Sequence, residues 1–262
     1  MTTRRPTKSH QIPRRLLGVW AHPDDEAYLS AGLMGRVVDQ GGRVTVVAAT
    51  NGELGTGDTE LAGTERFAQL RQRELRGCLG ELGVTDVRFL DIPDGGCAIE
   101  SADRPVAQLV DIISEVRPDA IVTFGPDGIT GHPDHRAVSS WATAAWLDSD
   151  QRADVLYASM TRTFLAEYAE LHDQLGLFDE YGDGPAGIDD GDVVLRCPLT
   201  PCELERKRAA LAQHASQTTG LAEAVGEATF RRWWRDETFR VPTSHELATA
   251  AWAAAGRGLV GS

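Results

Sequence analysis

Two apolar runs in this chain lead into the same three residues. Val19-Trp20-Ala21 runs into His22-Pro23-Asp24-Asp25-Glu26, and the run ending at Phe124 is followed by Gly131-His132-Pro133-Asp134-His135. Imidazoles and carboxylates are the ligands of a catalytic zinc, which takes about three protein ligands and keeps one position for water. His22, Asp25 and His135 are of that type. His132 and His135 are three residues apart, so one helical turn brings both to one face. Asp24, beside such a metal, is placed to take the proton of a water whose pKa the metal lowers. His132 would steady a tetrahedral oxyanion or protonate a leaving nitrogen. Spacing alone leaves open which of these histidines and aspartates bind the ion. A purely structural account opens a helix with proline and places acids at its positive end. That explains the prolines and some of the acids. It does not explain a histidine before each proline, nor the adjacent like charges of Asp24 and Asp25.

Both elements have to be held by something, and the rest of the chain reads as an alternating scaffold. Short apolar runs rich in Val and Ile lie at 15–21, 43–50, 87–92, 120–125 and 154–160, with a further candidate at 192–199. They are mostly continuous, as in strands buried on both faces of a parallel sheet. Helical patterns lie at 27–41, 64–82, 103–116, 134–147 and 202–217. The first runs into Gly41-Gly42, and the third stops before Pro118. This rhythm predicts an α/β fold, a doubly wound, Rossmann-like and mostly parallel sheet. In such sheets ligands bind beyond the carboxyl ends of the strands. The first His-Pro-Asp follows the first strand and the second lies in the loop after the fourth, so both are expected at one crevice.

Composition bounds the partners. The chain has 262 residues, 42% hydrophobic, with a formal net charge of −13. Nucleic acid is disfavoured, because a phosphate backbone asks for a basic stripe. Residues 1–14 read as a basic, disordered tail and 15–262 as one domain with a C-terminal elaboration. No apolar stretch has the length of a membrane span or an export signal, which predicts a cytoplasmic protein. Cys78, Cys97, Cys197 and Cys202 are scattered and are expected to be reduced. Residues 176–192, rich in Gly and Asp, read as a loop. The Trp/Arg-dense segment at 230–240 is expected to pack on the domain, with a subunit interface or a pocket edge as alternatives. A homo-oligomer is compatible with the sequence, which does not determine the assembly.

"AHPDDE" after a first strand and "GHPDH" after a fourth resemble the LmbE-like, or PIG-L, family of zinc-dependent N-deacetylases, over most of residues 15–217. The resemblance implies His22, Asp25 and His135 as zinc ligands, Asp24 as general base and His132 as electrostatic stabiliser or acid. It further implies substrate contacts from Glu53 in "TNGELG", Arg71 in "LRQRELRGCLGELGV" (with Glu74 steadying it or its helix), Asp94 in "IPDGG" and His214 in "KRAALAQHASQ". Each of these has a plain alternative: a turn residue, a surface ion pair, ordinary turn chemistry and a packed histidine. His10, His172 and His245 are read as incidental.

The expected function is metal-dependent removal of an N-acetyl group from a small N-acetylglucosaminyl conjugate. Zn²⁺ is the expected cofactor, and Fe²⁺ suits the same ligands. One departure bears on the substrate. Mycothiol-pathway members carry a tyrosine two residues before the first histidine of the second motif, where this chain has Thr130. Alternatives are an amidase for a larger thiol conjugate and a binuclear metallophosphoesterase, which needs ligands for a second ion. A non-catalytic nucleotide-binding module ranks last, since "HPDDE" stands where a Gly-rich phosphate loop is required.

Overall fold

Valine- and isoleucine-rich runs form the centre of the sheet because they are apolar on both faces. The computed structural model describes residues 11–181 and 184–257. His10 and the first ten residues of the expected tail lie outside them. The first half of the chain alternates strictly: β1 (Arg15–Trp20), α1 (Asp25–Asp39), β2 (Arg43–Ala48), α2 (Glu65–Glu81), β3 (Asp86–Phe89), α3 (Asp103–Val116), β4 (Ala120–Phe124), α4 (Pro133–Asp148) and β5 (Asp154–Ala158). Then come α5 (Arg162–Glu167), α6 (Ala169–Leu175), β6 (Leu195–Pro198), α7 (Pro201–Gln213), α8 (Ala215–Val225), α9 (Glu227–Trp233), β7 (Asp236–Arg240) and α10 (Ser244–Arg257).

The seven strands lie in the order β3-β2-β1-β4-β5-β7-β6. β1 pairs in parallel with β2 on one side and β4 on the other. The chain therefore reverses its direction of winding between β1 and β4. That is the switch point at which loops diverge and leave a crevice. The expected doubly wound, mostly parallel sheet is present, with β7 and β6 added antiparallel at one edge.

Three features depart from the sequence reading. The strand β7 lies in the Trp/Arg segment and was not expected. Its buried positions alternate at Glu237 and Phe239, and a glutamate at a core position conceals the pattern. The helix expected over 202–217 is two helices that meet at His214 (φ −80°, ψ 48°). There Glu74, on α2, accepts from the Ser216 amide and hydroxyl (2.8 and 2.6 Å), capping the second helix. Glu74 therefore steadies α8 rather than Arg71. Finally, α5 and α6 lie between the expected strand at 154–160 and the expected loop at 176–192, where no helical pattern is read.

The C-terminal elaboration docks on α1 through a buried charge. Glu237 accepts from the amides of Gly32 (2.7 Å) and Leu33 (2.9 Å), in the middle of α1. Lys207 on α7 donates to the same carboxylate (2.8 Å) and to the Tyr28 carbonyl (2.7 Å). Both side chains are about 1% exposed. Gly32 makes this approach feasible: a Cβ there would collide with Leu199 and press on the Glu237 carboxylate. Arg36 adds a fork onto Glu203 of α7 (2.6 and 3.0 Å) at the partly exposed rim. The helix that carries the first motif is thus held by residues some two hundred positions away.

Removing one partner of a buried ion pair leaves the other charged and unsolvated, which costs about 3–5 kcal/mol. Lys207→Met is expected to lose that much stability in urea unfolding. A loss of less than about 1 kcal/mol would mean that the pair is dispensable.

Candidate metal centre and active site

The two His-Pro-Asp elements meet at the switch point. His22 follows β1, Asp25 begins α1, and His132 is the N-cap of α4, so that His135 stands in its first turn. His22 Nδ1 lies 3.2 Å from His135 Nε2, His135 Nε2 lies 3.4 Å from Asp25 Oδ1, and His22 Nδ1 lies 3.7 Å from Asp25 Oδ2. Three ligands at about 2.0–2.1 Å on a tetrahedral ion stand roughly 3.4 Å apart, so this triangle fits one such ion. The donor atoms are also correctly prepared. His135 Nδ1 is 2.9 Å from the Gly128 carbonyl, which leaves Nε2 free for a metal. His22 Nε2 is 3.1 Å from Asp94 Oδ1 and 3.2 Å from Asp134 Oδ2, which leaves Nδ1. Carboxylates and carbonyls behind histidines are how metal sites set tautomer and ring orientation.

Asp134 is the residue that the sequence reading missed. The sequence reading assigns it no role in "HPDH", and it is fully buried. Besides His22 it accepts from the amides of Gly95 (2.9 Å) and Cys97 (3.0 Å). The only signal for it was the repeat of the motif itself, an aspartate two residues after each histidine.

Asp24 sits in a left-handed conformation (φ 123°) that a non-glycine residue rarely adopts. Its amide donates to Glu26 Oε2 (2.9 Å), whose other oxygen is 2.8 Å from His214 Nε2. Arg71 donates to the Pro23 carbonyl and to Asp24 Oδ2 (3.2 Å). The turn that aims Asp24 is therefore clamped from α2 and from the α7–α8 junction.

The electrostatics follow from burial and crowding. Burial raises the pKa of both Asp24 and Asp25, with Arg71 opposing it at the first and His22 at the second. Burial opposes the charge on His22, but Asp134, Asp94 and Asp25 outweigh it and raise its pKa to about 10. Burial, with the His22 charge beside it, lowers His135 to about 3. His132 is lowered by the same two causes. Burial works against the charges of the Glu26–His214 pair as well, yet their attraction holds Glu26 below and His214 above its ordinary value.

The substrate-side expectations divide. Arg71 and Asp94 line the cavity above the trio. Arg71 is already engaged by Pro23 and Asp24. Asp94 is held by His22 and by the Leu54 amide (2.8 Å). Glu53 and His214 do not line the cavity. Glu53 accepts from the Asp94 amide (2.9 Å) and so joins two loops. His214 is fully buried, and its Nε2 faces Glu26 (2.8 Å). His172, read as incidental, accepts from the Trp233 indole (3.1 Å) inside an aromatic cluster. All four cysteines are free. Among the described residues no helix is long and apolar enough to cross a membrane.

Fold and site together define a doubly wound α/β protein with a candidate mononuclear metal centre at its switch point. Residues 17–146 match the family model PIG-L, GlcNAc-PI de-N-acetylase. The chain is 33% identical over 246 residues to 1D-myo-inositol 2-acetamido-2-deoxy-alpha-D-glucopyranoside deacetylase of Geodermatophilus obscurus, covering 79% of this chain and 83% of that one. It is 37% identical over 129 residues to probable N-acetyl-alpha-D-glucosaminyl L-malate deacetylase 2 of Bacillus cereus, covering 48% and 58%. Its fold is similar to that of N,N'-diacetylchitobiose deacetylase from Pyrococcus horikoshii (TM-score 0.59, 20% identity, 88% and 84% covered). The chain belongs to the PIG-L family.

Two measurements test the centre. A metal can bind His22 Nδ1 only after that raised group gives up its proton, so binding near pH 7 should release about one proton and weaken as pH falls. Calorimetry in buffers of different ionisation enthalpy reads this directly, and zero release would contradict a charged His22. Asp134→Asn should lower metal affinity by about 10–100-fold. Unchanged affinity in a metal-competition titration would remove Asp134 from the site.

Proposed function

We propose that this protein is a metal-dependent N-deacetylase that cleaves the N-acetyl amide of an N-acetylglucosaminyl conjugate. One observation carries the reading: three metal-type donors lie within 3.7 Å of one another, with Asp24 and His132 beside them on a cavity of about 760 Å³. That volume is typical of a small-molecule site. The two relatives named above are deacetylases of an inositol and a malate conjugate, and both names contain an N-acetylglucosamine unit. His22, Asp25 and His135 would hold Zn²⁺, and the same donors suit Fe²⁺. Bound there, the ion supplies Lewis acidity to the amide carbonyl and lowers the pKa of a water.

The chain's own residues do the proton work. Asp24 accepts the proton of the attacking water. A carboxylate raised by burial is a better base near neutrality than an exposed one, and Arg71 fixes its direction. His132 Nδ1 accepts the Asp134 amide (3.1 Å), so the neutral ring carries its hydrogen on Nε2. That nitrogen is left for the cavity, where it donates to the oxygen that gains charge as the carbonyl becomes tetrahedral. Collapse breaks the C–N bond. The proton taken from water passes to the nitrogen, and acetate and a free amine leave. A two-metal phosphoesterase is less well supported, because Asp134, which with His22 and His132 forms a second group of metal-type donors, already accepts a backbone amide at each oxygen.

Asp24→Asn protein loaded with zinc should lose acetate release by about 10²–10⁴-fold while holding one metal per chain. Acetate release from the N-acetylglucosaminyl inositol and methyl glycoside conjugates is the readout. Equal rates in the two proteins would remove Asp24 as the base, and no release from any N-acetylglucosaminyl conjugate would sink the deacetylase reading.

A further inference from the structure

His132 is the least tethered of the three imidazoles at the site. His22 and His135 each have a carboxylate or a carbonyl behind the ring, and His135 also lies flat on Phe124 (4.2 Å between centroids, 9° between planes). The His132 ring has one hydrogen bond among the described residues, from the Asp134 amide to Nδ1, and the residue is only half-buried. A single bond at Nδ1 leaves the ring free to tilt, and the tilt displaces Nε2, the atom the reaction uses. Packing has to supply what hydrogen bonding does not. Three rings touch His132: His22 edge-on (4.8 Å), His135 stacked (5.0 Å) and, at the shortest distance, Tyr181 (4.6 Å, planes at 58°). Aromatic rings at such distances attract each other beyond the area they bury.

Tyr181 comes from outside both motifs, on the Gly/Asp-rich loop that follows α6. The loop is anchored on either side of it. Phe178 packs on the core and stands edge-on to the buried His172 (5.1 Å), which in turn holds the Trp233 indole. Further on, the Ile188 amide donates to the Met160 carbonyl (3.0 Å), and the Ile188 carbonyl accepts from the Arg162 amide (2.9 Å). Gly131, immediately before His132, lets the loop come down on the motif. Its φ is +81°, and a Cβ there would stand 3.1 Å from the Tyr181 carbonyl oxygen and 3.3 Å from the Tyr181 Cβ. Burial pushes the Tyr181 phenol up to about 12, so the ring meets the imidazole uncharged.

Resting on the deacetylase reading, we propose that Tyr181 is a positioning residue whose ring holds the His132 imidazole with Nε2 aimed at the oxygen that gains charge. It acts through His132, and the ring rather than the hydroxyl does the work. A donor to an oxyanion is effective only when it is already in place. A displacement of about 1 Å costs on the order of 10²-fold in rate. Tyr181→Ala should therefore lower kcat by about 10–100-fold while KM stays within about twofold, because the contact it supports matters only in the transition state. Tyr181→Phe keeps the ring and should keep kcat within about twofold of the wild type.

The experiment is a double-mutant cycle on zinc-loaded protein. Acetate release is followed from the N-acetylglucosaminyl inositol or methyl glycoside conjugate, whichever turns over faster. The proteins are wild type, Tyr181→Phe, Tyr181→Ala, His132→Ala and the double variant, each with the wild-type metal content. Residues that work as a unit are not additive, so adding Tyr181→Ala to His132→Ala should change kcat by less than about twofold. Tyr181→Leu, which keeps apolar bulk without a flat ring, should repeat the alanine result and serves in its place if the alanine protein unfolds. Losses that multiply in the double variant overturn the proposal. So does a Tyr181→Phe protein as slow as Tyr181→Ala, which would put the hydroxyl to work. A raised KM with unchanged kcat overturns it too, since Tyr181 would then be a wall for substrate. These outcomes leave the deacetylase reading standing. No acetate from any N-acetylglucosaminyl conjugate with the wild type sinks that reading, and the role of Tyr181 with it.

Discussion

A single buried carboxylate, that of Asp134, ties the site together. It faces the His22 ring from the loop after β1, the Gly95 and Cys97 amides from the loop after β3, and it stands in the first turn of α4. Three segments from different strands therefore share one acceptor. An unpaired buried carboxylate is costly, so the loops satisfy it together and their positions become mutually dependent. The consequence for chemistry is direct. With His22 Nε2 engaged by Asp134 and Asp94, Nδ1 is the nitrogen presented to His135 and Asp25.

A second layer of buried charge performs the same service for Asp24. Glu26 receives the Asp24 amide and is itself held by His214, while Arg71 reaches across from α2. A left-handed aspartate is strained, and strain persists only where the surroundings over-determine the conformation. Here they do so from three directions. Glu237 then anchors α1 against α7 and β7. The same C-terminal segment supplies Trp233 and Trp234 to the cavity, so docking the elaboration and shaping the pocket are one event.

The parallel strands β1 to β5 were legible because continuous apolar runs have one economical solution, burial between two layers of helices. The strand β7 was not legible. Its core position is Glu237, and the pattern makes sense only once Lys207 and two amides of α1 are seen around it. Helix α7 was legible from its start, but its break at His214 was not, since the carboxylate that accepts the Ser216 amide comes from Glu74 on α2 and the His214 ring is held by Glu26 on α1.

What the sequence determined by itself was the pair of His-Pro-Asp elements, the chemistry their residue types imply, and the sheet whose switch point brings them together. These are local in the chain, or follow from hydrophobic period and strand order. What only the tertiary structure decided was the role of each buried carboxylate. By the family resemblance the sequence has Glu53 and His214 as substrate contacts, and it assigns no individual role to Asp134, Glu26 or Glu237. Each is instead spent on a partner from a distant segment, because a charge taken out of water must find its counterpart wherever the fold delivers it.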